Sequence, residues 1–275
     1  MARTAERVAE RRAVRDAANA MHLNPTPLPE ATVLGARINA LGWDETTALI
    51  GDWASRRESR YVCISNVHMV VTARQDRELA AAMRASDLAT PDGAPIAWML
   101  RRMGFTGQPR ISGTELMRAY LARAAGRGEP IFLFGSTEET IAALKRRLLA
   151  EAPTLLIAGA VSPPFRVLSD EEDAAIVAQI NATCAGTVWV SLGCPKQEKW
   201  MLEHRGRVNA VMLGVGAAFD FIAGLKPRAP AWMQAVGLEW LHRLASEPGR
   251  LWKRYLVTNS LFVIGAARQL LFGPR

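Results

Sequence analysis

Asn66, Asp92, Gln197 and Gly216 each follow closely on a short apolar run. Asp92 stands between Pro91 and Gly93. There a carboxylate does one of two jobs: it bonds its own backbone in a turn, or it takes a proton from a hydroxyl as a general base. Asn66 and Gln197 carry amides suited to sugar or acceptor hydroxyls, and Gly214-Val215-Gly216 lets a backbone come close to phosphate ahead of a helix. Singly, each cluster has the composition of a turn. Together, at one edge of a sheet, the four would surround a crevice.

Other chemistries fit less well. After Gly214 and Gly216 the dinucleotide fingerprint breaks at Phe219, and no acidic residue follows a strand about twenty residues on. There is no phosphate-loop signature, which argues against an NTPase. No two aspartates lie one residue apart, so a divalent cation is not required. His22, His68, His204 and His242 form no metal-binding pattern, and Ser112-Gly113-Thr114-Glu115 suits a helix cap in a chain with no nucleophile elbow. Cys63, Cys184 and Cys194 fit neither a disulfide scaffold nor a zinc site, and point to a reducing cytoplasm.

The elements that must hold these residues alternate. Buried strands are expected at Tyr61–Ser65, Pro130–Phe134, Leu155–Ala160, Thr187–Leu192 and Ala210–Val215, with a further run at Leu88–Thr90. Between them lie helical stretches, two opened by capping boxes: Ser136 with Glu139, and Ser169 with Glu172. Such alternation predicts an α/β, Rossmann-like fold, a mostly parallel sheet with helices on both faces, whose ligands bind outside the carboxyl ends of the strands.

The chain has 275 residues, 49% hydrophobic and 22% charged, which suits one large or two small globular domains. Its net charge is +8, and residues 226–275 hold eight basic against two acidic residues, hence six of those charges. That segment is expected to meet nucleic acid or membrane phosphate. Ala229–Ala245 reads as one helix with an apolar stripe, and Leu256–Phe272 as an interfacial run too short and polar to span a bilayer. Residues 1–31 read as a helical or loosely ordered extension, with arginines at 3, 7, 11 and 15 and too many acids for a transit peptide. The expected organisation is therefore an extension (1–31), an α/β core (32–225) and a basic amphipathic appendage (226–275), whose last thirty residues are expected to be removable without unfolding the core.

The ordered motifs Asn66-Val67-His68-Met69, Pro91-Asp92-Gly93, Pro109-Arg110-Ile111-Ser112-Gly113 and Leu192-Gly193-Cys194-Pro195-Lys196-Gln197-Glu198-Lys199-Trp200, followed by Gly214-Val215-Gly216-Ala217-Ala218-Phe219-Asp220 and Gly237-Leu238-Glu239-Trp240, resemble the WecG/TagA/CpsF family of bacterial glycosyltransferases. The resemblance implies inverting sugar transfer from a UDP-sugar to a polyprenyl-diphosphate-linked saccharide, by a protein bound peripherally at the cytoplasmic membrane face. It implies Asp92 as base, Asn66, Arg110 and Gln197 in the same pocket, and tail cations (Arg243, Arg250, and Lys253 or Arg254) closing over diphosphate. Arg110 and the Gly214–Gly216 turn are assigned to donor phosphate, with Ser65 and Gly135 at neighbouring strand ends. Asp220 either binds ribose hydroxyls or caps a turn. Ile64 departs from the family pattern, and alternation along the strand points Ser65 the other way. No metal or cofactor beyond the donor is expected, nor a nucleic-acid partner; a homo-oligomer is compatible. The competing readings are a Rossmann-type oxidoreductase and a non-catalytic UDP-sugar-binding protein.

Overall fold

The computed structural model describes residues 27–235 and 237–273; most of the expected N-terminal extension therefore lies outside the described residues. Six parallel strands form one sheet: β3 (Arg60–Ser65), β4 (Leu88–Pro91), β5 (Ile131–Gly135), β6 (Ile157–Val161), β7 (Thr187–Ser191) and β8 (Val211–Gly214), in the order β4-β3-β8-β7-β5-β6. Every expected strand is present. Before them an antiparallel hairpin, β1 (Glu30–Val33) and β2 (Ala36–Asn39), turns through Leu34 and Gly35, both at positive φ (49° and 90°). The sequence reading had not assigned it.

Both faces of the sheet are covered, so its strands are apolar on both sides. Tyr61, Cys63, Phe132, Phe134, Val188, Val190 and Met212 face one layer, while Val62, Ile64, Ile131, Leu133, Trp189, Val211 and Leu213 face the other. The first layer includes α2 (Val67–Ala73), α3 (Arg77–Ala85), α4 (Ala94–Arg102), α7 (Asp170–Ala182) and α8 (Lys196–His204). The second includes α1 (Trp43–Ser55), α5 (Gly113–Arg127), α6 (Glu138–Glu151) and α9 (Ala218–Ile222). The chain leaves β3 for β4 on one side and returns to β3's other side at β8. In sheets of this kind such a reversal is where a ligand crevice forms, at the carboxyl edge.

Ser169 and Glu172 form the expected capping box of α7, and Ser112 caps α5. Ser136 does not cap α6. It takes φ 63° at the strand end, and Thr137 caps instead, its hydroxyl accepting the Thr140 N–H at 3.1 Å.

The appendage differs from expectation twice. The single helix read at Ala229–Ala245 is two, α10 (Ala231–Ala235) and α11 (Glu239–Ser246). Between them Gly237 adopts φ 77° so close to α4 that a Cβ there would lie 2.6 Å from Ala94 Cβ. The last helix, α12 (Pro248–Phe272), has 25 residues, and its Leu251–Phe272 segment, whose most apolar 18 residues have mean hydropathy 1.3, is by length and composition able to cross a membrane. Thr258, Asn259 and Ser260 interrupt the apolar run, which is why counting consecutive apolar residues understates it. In this structure α12 lies along α2 instead, burying Leu251, Thr258, Phe262 and Ala266, while the Gln269 amide donates to Thr32 O at 2.6 Å and accepts the Leu34 N–H at 2.8 Å. Phe262 and Ala266 belong to the first core layer.

Candidate active site

The crevice is assembled by backbone bonds between strand ends. The Asp92 N–H donates to Ser65 O at 2.9 Å, joining the ends of β4 and β3. The Ile111 N–H donates to Pro91 O at 2.9 Å and brings Arg110 alongside. Gly113, first residue of α5, sits so near β8 that a Cβ would lie 3.2 Å from the Val215 carbonyl. Asn66 caps α2, its Oδ1 accepting the Met69 N–H at 3.1 Å. Its Nδ2 is left to donate elsewhere.

Charge converges on Asp92. Burial is the main force pushing its pKa up to about 6, and the Glu239 carboxylate adds to it, while the Arg110 and Arg243 guanidiniums pull it down. Arg110 is clamped between two carboxylates, donating to Glu115 at 2.9 and 3.0 Å and to Glu239 at 2.7 Å. Arg243 stands one turn after Glu239 on α11, its guanidinium 5.3 Å from the centre of the Phe221 ring. A short helix of the appendage thus delivers one cation and one anion to the core's candidate base. Neither acid had been given a functional part. For Glu115 the motif predicts only a cap shared with Ser112, whose hydroxyl does donate to it at 2.7 Å. Glu239 had been seen only as part of a family motif.

On the other side of β8, Gln197 is 4% exposed with both ends engaged. Its Nε2 donates to Glu198 Oε1 at 2.7 Å and its Oε1 accepts the Gly216 N–H at 3.1 Å. The Gly216 carbonyl accepts the Ser191 hydroxyl at 2.8 Å, and the Val215 N–H donates to Val190 O at 2.9 Å. The Gly214–Gly216 turn therefore spends these two amides inside the protein. What it offers a phosphate is a close approach, since Gly216 has φ 52° and no side chain. Gly135, on β5 in register with Ser191 on β7, continues the same edge; its φ is 109°, and a Cβ would fall 2.5 Å from Ser191 O.

The remaining sequence candidates divide. Ile64 packs into the second layer, its Cδ1 3.6 Å from where a Gly113 Cβ would be, and Ser65 is fully buried with no hydrogen-bond partner for its hydroxyl. Asp220 is paired with Lys226 at 2.9 Å, which also reaches Glu247 at 3.7 Å. Arg254 lies near enough to His68, at the start of α2, to join burial in pushing that imidazole down to about 4, and its field also reaches Cys194 ahead of α8. Lys253 turns outward, its Nζ 5.5 Å from the Trp252 ring. Of the two alternatives for a tail cation, Arg254 is thus the one beside the strand-end loops. The Arg250 side chain lies outside the described part of the structure.

Among the described residues, no group of three or more His, Cys, Asp or Glu side chains is arranged to hold a metal ion. The family model for the glycosyl transferase WecG/TagA/CpsF family matches residues 31–275, which takes in all but the first residue of the hairpin, the whole sheet and α12. By that match, extending over nearly the entire chain, the protein belongs to the WecG/TagA/CpsF family, glycosyltransferases of cell-surface polysaccharide synthesis.

Proposed function

We propose that the protein transfers a sugar from a UDP-sugar to a polyprenyl-diphosphate-linked saccharide, with inversion at the anomeric carbon, and that Asp92 is the general base. The observation that carries this reading is the placement of Asp92 at the joined ends of β3 and β4, with Arg110 brought alongside through Ile111 and the field of Arg243 reaching it, where burial raises its pKa to about 6. Such a group is mostly ionised at neutral pH, yet basic enough to take the acceptor hydroxyl's proton during attack, an effect worth about 10²–10⁴-fold. One bond forms between the acceptor oxygen and the anomeric carbon, and the bond to the UDP oxygen breaks. Negative charge then grows on the leaving diphosphate. Arg110 and Arg243 are assigned to it, with no metal ion in the scheme, and Arg110 is held in position by Glu115 and Glu239. Asn66 and Gly135 are assigned to the rest of the crevice's lining, and Arg254 to the α12 side of it.

The acceptor's lipid explains the last helix. With Phe262 and Ala266 docked, α12 turns Leu256, Val257, Val263, Ile264, Leu271 and Phe272 outward, each more than half exposed. An apolar helix face beside a basic segment suits peripheral attachment to the anionic cytoplasmic leaflet, where each cation contributes on the order of 1 kcal/mol. The test is thermal unfolding with UDP and with NAD. Protection by UDP alone is expected; protection by NAD alone would overturn the reading in favour of an oxidoreductase.

A further inference from the structure

Glu198 is wholly buried, lies beside the crevice, and takes no part in the chemistry above. Burial raises its pKa, while the Gln197 amide, its own backbone N–H and the neighbouring Cys194 thiol pull it down. A carboxyl kept in such a place usually has a task, because an apolar side chain of similar volume would avoid the desolvation cost.

One oxygen, Oε1, identifies that task. A backbone N–H only donates, so the Gly216 N–H takes the carbonyl end of Gln197, and the amide's Nε2 end is left to donate to Glu198 Oε1 at 2.7 Å. The carbonyl end meets the Gly216 N–H at 3.1 Å. Gln197 is also confined from the strand side. A Cβ on Gly214 would lie 3.0 Å from Gln197 Nε2 and 2.7 Å from Met201 Cε, so the amide fits only because residue 214 is glycine. The Ser191 hydroxyl holds the Gly216 carbonyl from the next strand. A buried acid, an amide and a backbone N–H therefore form a chain ending at the turn after β8.

We infer that Glu198 is a positioning residue: by accepting from Gln197 it holds that amide in place and so fixes the Gly216 turn beneath the donor's diphosphate. The inference rests on the reading that this turn borders the donor. It also gives Gln197 a different part from contact with sugar hydroxyls, since both its ends are engaged within the protein.

Three variants test it: Glu198→Gln, Glu198→Leu, and Glu198→Leu in a Gln197→Leu background. The ligand-free readout is hydrogen exchange at the Gly216 amide, and the ligand readout is UDP affinity by calorimetry. Glu198→Gln still offers Gln197 an acceptor and should keep both values within about threefold of the unsubstituted protein. Glu198→Leu should fold cooperatively, speed Gly216 exchange at least tenfold and weaken UDP binding at least tenfold, with kcat at saturating donor much less affected than KM. In the Gln197→Leu background it should add nothing further. Unchanged exchange and affinity in Glu198→Leu, equal loss in Glu198→Gln, or full additivity with Gln197→Leu would each overturn the inference. Faster Gly216 exchange in a protein whose unsubstituted form does not bind UDP would instead strike the donor reading and support the positioning of the turn.

Discussion

Replacing Asp92 by Asn should make the protein more stable and less active at once. The carboxyl ionises near pH 6 in the folded state, against an ordinary 3.8. An acid whose folded-state pKa is raised binds its proton more tightly in the native chain than in the unfolded one. Its contribution is therefore most favourable below pH 3.8, declines between 3.8 and 6, and is fully unfavourable above. The ceiling is about 3 kcal/mol at pH 8 and about half that at pH 5, from about 1.4 kcal/mol per tenfold change in the proton equilibrium. Asparagine keeps the shape without the charge, and Arg110 retains Glu115 and Glu239. Urea unfolding followed by tryptophan fluorescence at both pH values should show a gain of about 1–3 kcal/mol at pH 8 that shrinks at pH 5. Equal or lower stability of the variant at pH 8, or a gain independent of pH, would refute this account of the Asp92 environment.

Further outcomes follow from the same geometry. The rate kcat/KM should rise through an acid limb near pH 6 and level off above it, because Asp92 must be ionised to act. Glu239→Gln should move that limb to lower pH, since the Glu239 carboxylate holds the Asp92 pKa up; movement to higher pH would contradict the assignment. Val263→Glu combined with Ile264→Glu should lower binding to anionic vesicles at least tenfold without changing the melting temperature, as both side chains face outward. Phe262→Ala, on the docked face, should cost about 3–5 kcal/mol. For that reason deletion of residues 246–275 should lower core stability, measured by the same unfolding curves, rather than leave it unchanged.

The sheet was legible because its strands are apolar on both faces and end in glycine, proline or polar residues, a pattern that survives without tertiary knowledge. Asp92, Asn66 and Gly216 were legible for the same reason, as strand ends of a parallel sheet share one edge. Gln197 was found but its engagement was not, since the acid that holds it, Glu198, precedes a lysine in an unremarkable first helical turn. Glu239 escaped notice because it lies 129 residues from Arg110, and only folding of α11 against the core pairs them. The break at Gly237 was missed because the apolar spacing on either side still fits one helix. It is the close approach to Ala94 that excludes a side chain there. The β1–β2 hairpin was hidden by a turn using Leu34 at positive φ, a residue type that gives no turn signal.

The most direct measurement is single-turnover transfer from a UDP-sugar to a lipid-linked acceptor in vesicles, comparing the unsubstituted protein with Asp92→Asn and reading the product's anomeric configuration by NMR. The account predicts an inverted anomer and a rate lowered about 10²–10⁴-fold in the variant. A retained anomer, or a folded variant that transfers at nearly the original rate, would contradict it.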